Sequence, residues 1–138
     1  MTFSISFLLL LSAVITNAQE VTGTYQLHSK SDDFELTRTL TLNADGTFDY
    51  YNYRWVERGI PQDTHTYGKG TWTQDDKVIS FFTEAESLDD KFTLDFSGTK
   101  ARFISKSSRD KSDRSIKTAL RFYESEIFWI KGMKLIKQ

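Results

Sequence analysis

Leu36-Thr37-Arg38-Thr39-Leu40-Thr41-Leu42-Asn43-Ala44-Asp45-Gly46-Thr47-Phe48-Asp49-Tyr50-Tyr51-Asn52-Tyr53-Arg54-Trp55 is the stretch that decides the fold. Up to Leu42 apolar and polar residues alternate, as suits a strand whose successive side chains point to opposite faces. Three leucines share one face, and the threonines with the Arg-containing remainder take the other. Asn43-Ala44-Asp45-Gly46 then supplies residues that tolerate positive φ, so the chain reverses into the aromatic run Thr47 to Trp55 as a tight hairpin.

The same alternation, in short runs bounded by Gly, Asp, Asn or Ser, extends in both directions. Upstream, Val21 to His28 forms a first strand. Downstream, a loop from Glu57 to Thr64 carries the only proline, Pro61, and strands are expected at Tyr67–Trp72, Val78–Thr83, Phe92–Phe96, Ala101–Lys106 and Ile116–Tyr123. A last apolar run, Ile127 to Ile130, is broken at Gly132 before Met133 to Ile136. The offsets from Thr41-Leu42 to Gly46-Thr47 recur from Thr93-Leu94 to Gly98-Thr99 and read as one hairpin recipe used twice. No segment demands a crossover helix. The fold class is therefore all-β, a single antiparallel up-and-down barrel or strongly curved sheet of eight or nine strands, because closure removes the edges that aromatic-rich strands would otherwise expose.

Composition agrees with this reading. Aromatic residues make up 14% of the 138 residues against a single proline, which favours strands over helix or disorder. A formal net charge of −1 gives nothing that draws the chain to nucleic acid or to an acidic membrane surface. With no cysteine there is neither a disulfide nor a thiol to acylate, so the core alone must hold the domain.

Residues Met1 to Ala18 surround Leu8-Leu9-Leu10-Leu11 with an apolar core, end in Thr16-Asn17-Ala18 and read as a cleaved signal peptide. The apolar part, Phe3 to Ile15, is shorter than the ~20 residues that cross a bilayer. Cleavage after Ala18 leaves Gln19 to Gln138, enough for one domain with one core. The expectation is an exported protein, periplasmic or extracellular, with no lipid anchor through a Cys and no stable membrane insertion.

In the third strand Tyr51, Tyr53 and Trp55 share one face while Phe48 and Tyr50 take the other. One set packs the core and the other lines a cavity mouth or a contact patch, which makes Tyr51, Tyr53, Trp55 and Tyr67 the candidate ligand-binding residues. A slight bulge that sends most of these rings into the core is the competing reading. Catalytic patterns are weaker. His28 and His65 are the only histidines, on separate segments, and spacing gives no reason for them to converge with carboxylates. Asp32-Asp33, Asp75-Asp76 and Asp89-Asp90 sit in expected turns, where Asp suits the backbone. Thr41 to Asn52 echoes a calcium loop through Asn43, Asp45 and Gly46, yet Thr41 and Asn52 stand where the strongest ligands belong. Gly68-Lys69-Gly70-Thr71 lacks the spacing of a phosphate loop and lies in a strand, where small residues let a neighbour approach. Lys106 to Arg114 is a mixed-charge surface hairpin or a docking loop for an acidic partner. No catalytic residue, metal ligand or cofactor is expected.

Gly23-Thr24-Tyr25, Leu42-Asn43-Ala44-Asp45-Gly46-Thr47-Phe48 and Gly68-Lys69-Gly70-Thr71-Trp72 together resemble the small lipocalin-like proteins exported by Gram-negative bacteria, with Tyr25 where lipocalins proper carry the Trp of Gly-x-Trp. The resemblance implies a barrel that holds one small apolar molecule, and eight strands enclose an interior of about that capacity. The expected function is a non-enzymatic binding module for a small apolar or amphipathic molecule. The alternative is a cell-envelope protein-interaction module with a filled barrel.

Overall fold

The computed structural model describes residues 20–138. The leader, Met1 to Ala18, lies outside the described residues. The strands are β1 (Gly23–Ser31), β2 (Phe34–Leu42), β3 (Thr47–Val56), β4 (Asp63–Asp75), β5 (Val78–Phe82), β6 (Phe92–Leu94), β7 (Thr99–Ile104), β8 (Ala119–Glu124) and β9 (Lys134–Lys137). Sequential antiparallel pairing joins β1, β2, β3, β4 and β5, then β7, β8 and β9, and β9 returns to β1 at Tyr25↔Lys137 and Gln26↔Ile136. The result is a closed eight-stranded antiparallel barrel with one extra strand, consistent with a lipocalin-like fold.

The decisive hairpin forms as its alternation requires. Register pairs Leu42 with Phe48 and Leu40 with Tyr50, and all four side chains are buried. In the turn Asp45 accepts from the Thr47 amide at 3.0 Å while Gly46 takes φ +87°, a region open to glycine. Trp72 locks the turn from the next strand, its indole N–H donating to the Asn43 carbonyl at 3.0 Å.

Two expectations need correction. The second hairpin does not exist: β6 pairs in parallel with β4, at Tyr67↔Phe92 and Gly68↔Leu94, while β7 pairs with β5 and β8. The cause is the mismatch in strand lengths, since β5 covers only Thr71 to Asp75 of β4 and leaves the first half of that edge for β6. Gly98, at φ +81°, still makes a turn, but one that drives Phe96 into the barrel rather than folding two strands together. The run Ile127 to Ile130 is likewise no strand. It is coiled by turn bonds from Ile130 N–H to the Ile127 carbonyl at 3.0 Å and from Met133 N–H to the Ile130 carbonyl at 2.9 Å. That spacing buries Ile130 completely and leaves Phe128 87% exposed, so the segment folds across one end of the barrel.

Rings fill the middle of the barrel. Phe96 lies 5.1 Å, centroid to centroid, from both Phe48 and Tyr50, and 6.1 Å from Phe81, which stacks on Phe122 at 5.6 Å. Glycine makes room for them. A Cβ on Gly68 would stand 2.7 Å from the Phe96 ring, and one on Gly70 would collide with the Phe82 carbonyl and Phe48. These are the close approaches expected for small residues in that strand. Among the described residues no helix is long and apolar enough to cross a membrane.

Candidate functional site

Above the packed middle, the inward side chains of β2, β3 and β4 form two further rungs. Arg38 pairs with Asn52 and Asn52 with Thr66; one step outward, Leu36 pairs with Arg54 and Arg54 with Thr64. These rungs, with Phe34, Leu94, Phe128 and Trp129, surround a cup of about 470 Å³ at the barrel mouth. Its floor is set by the rung below, Leu40–Tyr50–Gly68, where Phe96 occupies the space that Gly68 leaves. The size falls within the usual range for small-molecule sites, and the lining mixes apolar and aromatic walls with a few polar groups.

Arg38 stands on the leucine side of β2, not with the threonines. Period two places it there, because counting in steps from Leu42 and Leu40 reaches Arg38 and Leu36. Its Nε donates to Asn52 Oδ1 at 3.2 Å and its Nη1 donates to the Trp129 carbonyl at 3.4 Å, with Met133 Sδ also at 3.4 Å. The guanidinium lies 4.7 Å from the centre of the Trp129 ring, a cation–π contact. All these partners are neutral. Among the described residues no carboxylate lies within ion-pair distance of Arg38 or of Arg54, and the cup lining contains no Asp or Glu. Beneath, the Tyr50 hydroxyl is buried without a hydrogen-bond partner among the described residues. Burial pushes its pKa up, and the nearby Arg38 charge works in the opposite direction.

The four residues singled out by sequence are placed elsewhere, on the outer surface of β3 and β4. Register sets Tyr51 beside Tyr67, Tyr53 beside His65 and Trp55 beside Asp63. Tyr51 and Tyr67 approach to 5.1 Å between centroids, Tyr67 reaches Phe92 at 5.9 Å, and Tyr53 lies 5.3 Å from His65. The Tyr51 hydroxyl and His65 Nδ1 share a hydrogen bond at 2.7 Å, and the Tyr53 hydroxyl donates to Asp63 at 3.3 Å. Partial desolvation raises the pKa of both phenols above the ordinary value, seconded at Tyr51 by Tyr67 and then Asp63, and at Tyr53 by Asp63. Lys69 stands 4.1 Å over the Phe92 ring and Lys91 4.8 Å over Tyr67. The result is a half-buried aromatic strip flanked by cations on the outside of the barrel, and none of its residues lines the cup. Trp55 continues the same face without joining the ring cluster. No bulge sends the strip inward, and Phe48 and Tyr50 alone enter the core.

Both histidines lie on the outside of the barrel, His65 in the strip and His28 3.3 Å from Glu35, and neither lines the cup. The mixed-charge loop is tied by its own groups: Asp110 accepts from Arg114 at 2.8 Å and from Ser112 at 2.6 Å, and Lys106 donates to the Ser112 carbonyl at 2.7 Å. Sequence reasoning missed Arg38, Asn52, Arg54 and Trp129. For the first three the signal was present in the parity of β2 and β3. Trp129 depended on a loop whose path only the closed barrel reveals. No family model, curated protein or solved structure matches this chain.

Proposed function

We propose that this protein is an exported, non-enzymatic binding module that takes a small amphipathic molecule at the mouth of its barrel, akin to the lipocalin-like proteins exported by Gram-negative bacteria. The observation that carries this reading is the cup of about 470 Å³, where Leu36, Leu94, Phe128 and Trp129 offer apolar walls beside the polar group Arg38–Asn52–Thr66. The exposed Phe128 supports it further, because a large apolar side chain held at a cavity rim gains contacts when a guest covers it. The guest occupies the mouth and not the barrel centre, which rings already fill.

The test is titration with the neutral fluorophore N-phenylnaphthylamine, followed by its emission and by tryptophan quenching. Saturable binding at one site, lost in Trp129→Ala and Phe128→Glu but retained in the strip variant Tyr53→Ala, is the expected result. Flat titrations in the wild-type protein overturn the reading. Intact mass of the exported protein tests the leader, with cleavage after Ala18 as the expected product.

The outer strip favours a second reading, in which Tyr51, Tyr53, Trp55 and Tyr67 dock another protein of the cell envelope. Half-buried Tyr and Trp with polar tips are the residues that anchor such contacts. Under this reading Tyr53→Ala with Tyr67→Ala abolishes co-purification of the partner while the cup variants keep it.

A further inference from the structure

We infer that the cup selects an amphipathic anion: a singly charged oxyanion head seated on Arg38, with Arg54 at the rim, and an apolar tail along Leu36, Leu94, Phe128 and Trp129. This inference rests on the binding reading above and adds the sign of the guest's charge.

Three observations converge on it. Arg38 is half-buried, and every partner of its guanidinium is a neutral acceptor or a ring, so its charge is held in place but not neutralised. A guanidinium withdrawn from water is ordinarily matched by a carboxylate. Second, Arg54 lies on the next rung of the same wall and its guanidinium makes no hydrogen bond or ion pair among the described residues, which leaves its side-chain donors to the cup and to solvent. Third, no acidic residue lines the cup although the chain carries a formal net charge of −1, so the positive mouth is a local arrangement and not a by-product of basic composition. The contacts of Asn52, the Trp129 carbonyl and the Trp129 ring hold the guanidinium in one pose, so little side-chain freedom remains to be lost when a head group arrives. Nη2 makes no hydrogen bond among the described residues and is the donor left for an oxyanion, a charge-assisted bond of the stronger kind.

The strip and the other concave surfaces differ from this site. The depression beside the β2–β3 turn is lined by Glu20, Asp45 and Asp76 with Lys77 as its one cation, and the hollow beside Lys137 has no apolar wall beyond Ile136.

The test compares three probes of equal tail, decanoate, decanol and decylammonium, each below its micellar concentration, by calorimetry at low and moderate salt. Decanoate is expected to bind about ten-fold tighter than decanol, with decylammonium weakest, and added salt narrows the gap. Arg38→Gln brings decanoate down to the affinity of decanol while leaving decanol unchanged. Arg54→Gln, an exposed rim change that leaves the fold intact, reduces the preference by a smaller factor and keeps the inference testable should Arg38→Gln fail to fold. Equal affinity for decanoate and decanol in the wild-type protein overturns the charge selectivity while leaving the cup as a binding site. Absence of heat and of tryptophan quenching for all three probes overturns the selectivity together with the binding reading.

Discussion

At the scale of single residues, the turn of the decisive hairpin depends on one carboxylate. Asp45 accepts from the Thr47 hydroxyl at 2.6 Å and from the Thr47 amide at 3.0 Å, and these bonds, the hydroxyl first, hold its pKa below the ordinary 3.8. A carboxylate whose folded-state pKa is lowered contributes stability that is complete above its unfolded-state value and is lost as pH falls through the folded-state value. Asp45→Ala therefore lowers the melting temperature at neutral pH. The gap between variant and wild type narrows once pH drops below about 4, the unfolded-state value of an Asp, and thermal scans across that range check it. Arg38 teaches a different lesson at this scale. Its neighbours in sequence are threonines, and polarity sorts it with them, yet side-chain parity is indifferent to polarity and sends it into the barrel. Asn52 and Arg54 follow the same rule on β3. The cup was thus present in the spacing and hidden by the habit of reading polar residues as outer ones.

Among the elements, β2 and β3 were legible because two complete faces, Leu40 and Leu42 against Phe48 and Tyr50, can be buried in only one register. The segment Phe92 to Phe96 was legible as a strand but not by partner: alternation records which face is buried and says nothing of whether the neighbour runs parallel or antiparallel. Its pairing with β4 follows from the shortness of β5, a matter of lengths that becomes visible only when the ring is assembled. The element earns its position through Phe96, fully buried among Phe48, Tyr50 and Phe81 with its amide bonded to Thr83 Oγ1 at 3.0 Å. Phe96→Ala removes the plug between the packed middle and the cup. The expected cost is about 3–5 kcal/mol in urea denaturation, as for other buried Phe truncations. The run Ile127 to Ile130 misled for a related reason, since four consecutive apolar residues fit a buried strand and a coiled turn equally well.

For the molecule as a whole, closure rests on its shortest ring strand. Lys134 to Lys137 is held between β1 and β8, with the Gln138 amide donating to the Thr24 carbonyl and Lys137 Nζ to the Glu20 carbonyl, both at 2.8 Å. Removing residues 134–138 leaves β1 and β8 as open edges with unpaired backbone groups, and open edges recruit other strands. The truncated chain is expected to elute in size-exclusion chromatography as larger species than the intact chain, with higher aggregates. That the domain closes at all was legible, because aromatic strands without helices to cover them have few other ways to end. That it would close with four residues was not, since Met133 to Ile136 reads only as the piece left after the break at Gly132, with no partner indicated by its spacing.

The pairing of β1 with β9 also sets a timetable. A ribosome delivers Gly23–Ser31 early and Lys134–Lys137 more than a hundred residues later, so β1 spends nearly the whole of synthesis with one partner and one vacant side. Contacts this distant along the chain form slowly even after release. Until Lys134–Lys137 emerge the ring has no last strand, and whatever meets the nascent chain before then encounters an open sheet rather than a finished barrel.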